Sequence, residues 1–166
     1  MRRLALLPAL VLVAAAATTS TARATTAACG PATARAAIAA THVRVKTLGD
    51  TAQRIEPGSA DQVICFDFTR DGRIDLAVSI ASGGTAGDIG YVVFRRTPAG
   101  WRVALTGGGY KLGLTRAGGD LVETQPVYRP NDPNCCPTGG FDHRRFHWNG
   151  TRFVVARSWH TKTFRP

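Results

Sequence analysis

Residues 63–80 read VICFDFTRDGRIDLAVSI, in which two runs of β-branched and aromatic residues flank an Asp-Gly pair. Such runs favour β-strands, and Asp-Gly is a common turn pair because Gly adopts positive φ without steric cost. We therefore expect strands over Val63–Phe68 and Ile74–Ile80, joined by a tight turn at Asp71-Gly72. This hairpin predicts a sheet in which neighbours in sequence are also neighbours in space.

The same pattern continues through most of the chain. Strand-like segments recur about every eight to twelve residues, with turn-forming Gly, Pro and Asn between them, as is typical of an antiparallel meander. The strongest hairpin signal is Asn149-Gly150, because both residues accept positive φ. The further expected strands are His42–Lys46, Tyr91–Arg95, Trp101–Leu105, Tyr110–Leu114, Leu121–Gln125, Arg145–Trp148 and Arg152–Ser158.

One segment near the start of the chain has helical composition. Ala32–Thr41 reads ATARAAIAAT and follows Gly30-Pro31. Alanine is the best helix former, and proline is tolerated in a first helical turn. The sequence therefore predicts an α+β fold: a mostly antiparallel β meander or sandwich-like sheet with one short N-terminal helix.

The first two dozen residues have the layout of a secretory leader. Two arginines, Arg2 and Arg3, precede an uncharged run from Leu4 to Ala17, and Ala22-Arg23-Ala24 supplies a small-residue cleavage site. The run is too short for a permanent transmembrane helix. We expect residues 1–24 to be a signal peptide, and residues 25–166 to be one exported, disulfide-stabilised, β-rich domain without a transmembrane segment.

The chain is basic, with 21 Lys and Arg against 11 Asp and Glu and a net charge of +10. Most of the basic residues are arginines, and Ala and Gly are abundant, a bias that GC-rich coding produces and that indicates an actinobacterial source. An exported basic protein first meets anionic cell-wall polymers and envelope proteins. We expect partners of that kind rather than nucleic acid.

The four cysteines predict two disulfides, because an even count in an exported chain is typical of a disulfide framework. A bond between the adjacent Cys135 and Cys136 would strain the intervening peptide. We therefore expect these two residues to pair with Cys29 and Cys65, in one order or the other. A zinc site is the alternative, but neither the adjacent pair nor the isolated cysteines have the usual ligand spacing.

The turn within residues 67–75 also resembles a calcium loop. Carboxylate or hydroxyl oxygens recur at Asp67, Thr69, Asp71 and Asp75, with Gly72 after the third of them. This spacing resembles the aspartate loops of FG-GAP and related extracellular calcium repeats. Two interpretations stay open here: a weak calcium site, or a plain hairpin turn capped by its own side chains.

Two further groups of residues lie near the C-terminus. His143 and His147, with Asp142, are the residues that a small secreted hydrolase would use, although no G-x-S-x-G elbow is present. Basic side chains interleaved with aromatic ones could instead bind an anionic polymer. A final hairpin with aromatics inward and arginines outward would explain the same pattern. The candidate anion-binding residues are Arg144, Arg145, Arg152 and Arg157.

Short motifs across the chain are similar to the LppP/LprE type of actinobacterial exported lipoprotein. They are Cys29-Gly30, Cys65-Phe66-Asp67, Tyr91–Arg95, Tyr110–Leu114, Asp120-Leu121-Val122, Val127-Tyr128, Cys135-Cys136-Pro137-x-Gly139 and Arg145–Gly150. Members of that type end in a C-x-x-C-P-x-G loop and a Y-H-W-D-G hairpin, whereas the cysteines here are adjacent. The resemblance implies no catalytic residues. Thr26-Ala27-Ala28-Cys29 lacks the Leu of a lipobox, so we expect an unlipidated Cys29.

These observations predict an exported, non-enzymatic protein of the cell envelope or medium that binds a partner or an anionic surface polymer. We expect no cofactor, and weak calcium binding by the aspartate loop is the alternative that stays open. The alternative is the small secreted hydrolase using His143 or His147 with Asp142.

Overall fold

The computed structural model describes residues 29–49 and 51–164, so the signal peptide expected over residues 1–24 lies outside the described residues. One α-helix, α1 (Pro31–Thr41), precedes the strands. The strands are β1 (Arg44–Val45), β2 (Gln53–Arg54), β3 (Ala60–Phe66), β4 (Asp75–Ala81), β5 (Asp88–Thr97), β6 (Gly100–Gly108), β7 (Gly113–Ala117), β8 (Asp120–Pro126), β9 (Phe141–Trp148) and β10 (Phe153–Thr161).

The strands form two four-stranded antiparallel sheets and one small pair. Sheet one has the order β3-β4-β5-β6, sheet two has the order β10-β9-β8-β7, and β1 pairs with β2. Each strand of the two larger sheets pairs with its neighbour in sequence; β8 and β9 are joined by the long loop 127–140, and the other connections are shorter. The predicted α+β fold with mostly antiparallel β structure is confirmed.

Helix α1 packs on one face of sheet one. Its buried residues Ala34, Ala37 and Ile38 follow the three- and four-residue spacing of one helical face. The helix starts at Pro31, one residue before the predicted start, because proline suits the first helical position. It ends where His42 adopts a left-handed φ of 49° and donates its backbone N–H to the Ile38 carbonyl at 3.1 Å.

Sheet one is buried on both faces. Along β4, Leu76, Val78 and Ile80 belong to the core beneath α1, whereas Ala77 between them belongs to the core shared with sheet two. Alternate residues of a strand point to opposite faces, so a strand that is apolar at successive positions needs two cores. Sheet one is thus the middle layer between the helix and sheet two.

One predicted strand begins later than expected. The strand predicted over Tyr110–Leu114 starts at Gly113, and the residues before it cross from sheet one to sheet two. Lys111 has a left-handed φ of 50°, which breaks strand geometry. The Tyr110 ring packs edge-on against the Tyr128 ring, with 5.4 Å between the ring centroids. The short strand β2 was not predicted, since Gln53–Arg54 is polar and exposed.

The last strand contains a β-bulge. Val155 pairs with Phe146 and Arg157 pairs with Arg145, so Ala156 is one residue more than the partner strand supplies. The residues after Ala156 therefore point to the opposite face from the one that strict alternation would give.

All four cysteines form disulfides, but the predicted pairing is wrong. Cys29 pairs with Cys65 across a Cα–Cα distance of 6.1 Å, and Cys135 pairs with its neighbour Cys136. Helix α1 packs beside β3, which brings the residue before the helix to Cys65. The adjacent cysteines lie instead in the loop between β8 and β9 of sheet two. In the chain-entropy model, the 36-residue separation of Cys29 and Cys65 corresponds to a stabilisation of about 4 kcal/mol.

Candidate functional site

The two faces of sheet two have different environments. The inner face packs on sheet one through Leu114, Leu121, Phe146 and other apolar residues. The outer face carries polar and charged side chains and, within the described part of the chain, contributes no residue to either core cluster. A mostly polar sheet face that lies outside both core clusters is available for binding.

His143 forms the floor of this outer face. It is 2% exposed, its Nδ1 lies 2.9 Å from Thr124 Oγ1, and its Nε2 lies 2.8 Å from Thr161 Oγ1. Thr161 uses its hydroxyl proton on the Thr163 carbonyl, so His143 Nε2 carries the proton and donates it. Burial lowers the pKa of His143. The floor is therefore a neutral imidazole with both nitrogens hydrogen-bonded.

One aromatic and one cationic side chain, Trp159 and Arg157, lie above that floor. The Trp159 ring stacks on His143 with 4.9 Å between ring centroids and 8° between planes. The Arg157 guanidinium lies 5.2 Å from the centroid of the Trp159 ring. Arg157 is exposed, and among the residues described it has no carboxylate partner. Within residues 29–49 and 51–164, its positive charge therefore has no counter-charge in an ion pair.

A second arginine stands directly across the strand pair from Arg157. Arg145 is its register partner on β9, and Arg145 Nε donates to Asp120 Oδ2 at 2.6 Å. His147 Nδ1 lies 2.8 Å from the other oxygen of Asp120. Burial opposes the ionisation of Asp120, but the contacts from His147 and Arg145 outweigh it and lower the pKa of that carboxyl. Asp120 thus pairs with Arg145 and His147 and makes no contact with Arg157 among the described residues.

These side chains enclose a cleft of about 290 Å³ on the outer face. Its lining includes Val122, Thr124, His143, Arg145, Arg157 and Trp159. Three arginines line the cleft, Arg116 with Arg145 and Arg157, against the neighbouring Asp120, so the cleft has an excess of positive charge. We call the residues of this lining the outer cleft.

A larger groove of about 520 Å³ lies at the inner side of the same strands. Glu123 is 1% exposed and accepts hydrogen bonds from Tyr91 Oη at 2.7 Å, from Gln125 at 2.6 Å and from Arg144 at 2.6 Å. Gly107 leaves the space that the Tyr91 ring occupies, since a Cβ there would collide with the ring. Burial, followed by the Glu123 carboxylate, raises the pKa of Tyr91.

The groove's other charged groups are also paired. His160 Nδ1 lies 2.8 Å from Asp142 Oδ1, and both side chains are exposed, Asp142 by 66%. Arg144 is paired with Glu123. The groove therefore has acidic and basic groups in balance, unlike the outer cleft.

The structure does not bring together the predicted hydrolase residues. Asp142 and His143 are successive residues of β9, so their side chains lie on opposite faces of sheet two. Asp142 pairs with His160, and His147 pairs with Asp120. Both nitrogens of His143 are occupied by threonine hydroxyls. The structure therefore does not place His143 or His147 in contact with Asp142, because successive residues of a strand lie on opposite faces.

The candidate calcium loop has its oxygens engaged within the turn. Asp67 accepts the backbone N–H groups of Asp71 and Gly72, at 3.0 and 2.8 Å. Asp75 is fully buried and accepts the N–H and the hydroxyl of Thr69. Burial raises the pKa of Asp75. Over residues 29–49 and 51–164, no cluster of three or more His, Cys, Asp or Glu side chains could hold a metal ion. These contacts fit the self-capped turn.

The four arginines of the predicted anion-binding surface are divided by the fold. Arg145 and Arg157 share the outer cleft, whereas Arg144 points to the inner groove and Arg152 lies in the turn between β9 and β10. The hairpin interpretation also holds only in part, because Trp159 faces outward. The sequence did not identify Asp120 or Glu123 as counter-charges. In the sequence, each is only an acidic residue in or beside a predicted strand. Its arginine partner follows from how the strands pair.

Comparisons with protein-family models, with curated proteins and with solved structures find no match to this chain. The resemblance to the LppP/LprE type therefore stays a prediction. No helix within residues 29–49 and 51–164 has the length and apolar character needed to cross a bilayer.

Proposed function

We propose that this chain is an exported, non-enzymatic protein of the cell envelope or medium that binds an anionic group through the outer cleft. The observation that carries the proposal is the cross-strand pairing of Arg145 with Arg157. Like charges directly opposite on neighbouring strands destabilise a sheet, and Asp120 offsets only one of them. A bound carboxylate or phosphate would supply the second negative charge.

The chemistry of the cleft supports an anion in that place. Guanidinium groups bind carboxylates and phosphates through two parallel hydrogen bonds, and they are more weakly hydrated than ammonium groups. Trp159 gives a flat apolar surface beside Arg157. The neutral His143 beneath it adds no counter-charge. An acidic polymer could therefore place one anionic group in the cleft while its chain lies along the exposed face of sheet two.

The experiment measures binding of the mature protein to inorganic polyphosphate and to poly-glutamate at several salt concentrations. We expect binding that weakens as salt rises, because ionic contacts on a protein surface are screened. Arg157→Ala should weaken binding at least about fivefold, as expected for the loss of one charge-assisted contact of about 1 kcal/mol.

The matched control is Arg35→Ala. Arg35 is exposed on α1, on the other side of sheet one from sheet two, and its replacement removes the same charge. Equal losses in the two variants would show that the net charge alone drives binding and would overturn the site. No binding to either polymer would overturn the proposed function.

A further inference from the structure

The loop between β8 and β9 carries a disulfide between adjacent cysteines and contains several hydrogen bonds. Asp132 accepts hydrogen bonds from the backbone N–H groups of Arg129 and Thr138, at 2.7 and 2.8 Å, and from the Thr138 hydroxyl at 2.7 Å. At the base of the loop, Val127 donates its backbone N–H to the Gly140 carbonyl, and the Val127 carbonyl accepts from the Gly139 N–H. Hydrogen bonds of the Asp132 side chain and of the backbone therefore hold the loop in addition to its disulfide.

Cys135 and Cys136 are bonded to each other within this loop, and both residues are exposed. A disulfide stabilises a fold mainly by closing a long loop in the unfolded chain. Cys29–Cys65 closes such a loop, whereas a bond between neighbours closes almost none. The stability of the fold therefore does not explain the second disulfide.

The surroundings of the pair favour its reaction with thiols. Exposed disulfides are accessible to an attacking thiolate, and a nearby cation stabilises the thiolate that leaves. The Lys111 ammonium donates to the carbonyl of Asn134, the residue directly before Cys135. Cys65, by contrast, is partly buried against the core beneath α1. Its partner Cys29 is exposed, so the two disulfides differ in that both residues of the adjacent pair, but only one residue of Cys29–Cys65, are open to a reductant.

We propose that Cys135–Cys136 is a thiol–disulfide exchange site whose substrate class is a dithiol reductant. A thiolate of the reductant attacks one sulfur, the Cys135–Cys136 bond breaks, and the other cysteine leaves as a thiolate. The second thiol of the reductant then breaks the mixed disulfide. The reductant is oxidised to a disulfide, and the pair becomes two thiols after taking up two electrons and two protons.

The test titrates the folded, exported protein with dithiothreitol, traps thiols with N-ethylmaleimide, and locates the labelled cysteines by peptide mass spectrometry. Cys135 and Cys136 should be labelled together at a reductant concentration at least about tenfold below the one that labels Cys29 and Cys65, since access governs exchange. The melting temperature should be almost unchanged at that point. Reduced thioredoxin is a second arm: labelling at lower concentration than with dithiothreitol assigns the dithiol to a protein, and failure with thioredoxin alone assigns it to a small molecule.

The double variant Cys135→Ser, Cys136→Ser is the control. It should lose the low-concentration phase and keep the wild-type melting temperature. The proposal is overturned if Cys29–Cys65 opens first or simultaneously, or if the adjacent pair is reduced only when the protein unfolds. It is also overturned if Cys135 or Cys136 is labelled without any reductant.

Discussion

Sheet one and sheet two are both antiparallel meanders, but they differ in how many of their faces are covered by other elements. Sheet one lies between α1 and sheet two, and its strand β4 is buried at Asp75 through Ile80. Sheet two packs on sheet one through its inner face, and among the described residues its outer face contributes nothing to either core cluster, although some of its side chains, such as His143, are themselves buried. A sheet that is enclosed on both faces can contribute mainly packing, whereas a sheet with an open face can also display side chains. The division places the candidate binding residues on sheet two and the main stabilising core on sheet one.

The largest expected effect is a loss of packing within sheet one. Phe94 is fully buried, and Phe94→Ala should lower the free energy of unfolding by about 3–5 kcal/mol because it leaves a cavity. Val155 on sheet two is 51% exposed, so Val155→Ala should change stability by less than about 0.5 kcal/mol. Urea denaturation of the two variants measures both values. Similar losses would contradict the division between the sheets.

A smaller loss is expected where the two sheets meet through polar groups. Glu123→Ala leaves the hydroxyl of Tyr91 and the guanidinium of Arg144 without their acceptor. We expect a cost of about 1–3 kcal/mol, since a buried donor loses its partner. Tyr91→Phe removes only one of these contacts and should cost about 1 kcal/mol. If both variants unfolded at the wild-type urea concentration, the network would not join the sheets.

The outer face of sheet two should make stability depend on pH through His143. Its pKa is lower in the folded protein than in the unfolded chain because it is buried, so the contribution is complete above about pH 6.5 and is lost as the pH falls. Each unit of lowering corresponds to about 1.4 kcal/mol. Denaturation at pH 7.5 and at pH 5 measures the loss, which His143→Gln should reduce. An unchanged slope in that variant would contradict the assignment. The pKa of Asp120 is also lowered, so its contribution to stability is lost only near pH 4 and below.

The smallest effect is expected at the aspartate turn of sheet one. A ligand at ten times its dissociation constant would stabilise the fold by about 1.4 kcal/mol. Because Asp67 and Asp75 already accept hydrogen bonds from the turn, 10 mM calcium should leave the melting temperature unchanged within about 1 °C. Differential scanning fluorimetry with magnesium as the control measures this. A rise with calcium alone, abolished in Asp71→Ala, would support the calcium site instead.

The sequence predicted the strands and their order better than it predicted the face on which each side chain lies. Periodicity of two and the Asp-Gly and Asn-Gly turns indicated the meander, since both signals are local. The partners of charged side chains are set by register between strands, which no local pattern contains. Asp142 and His143 are neighbours in sequence but lie on opposite faces, and Glu123 and Tyr91 meet only because the sheets stack. The disulfide pairing failed for the same reason, because it depends on where α1 packs.

The bulge at Ala156 determines which side chains of β10 face outward. If Ala156 instead paired regularly with Arg145, the strand would keep its composition, yet Arg157 would stand opposite Arg144. Trp159 would then turn inward and His160 outward, and the outer cleft would lose Arg157 and its aromatic wall. The binding surface therefore depends on one unpaired residue that contributes no side chain to it, and deleting that residue would leave Arg157 opposite Arg145.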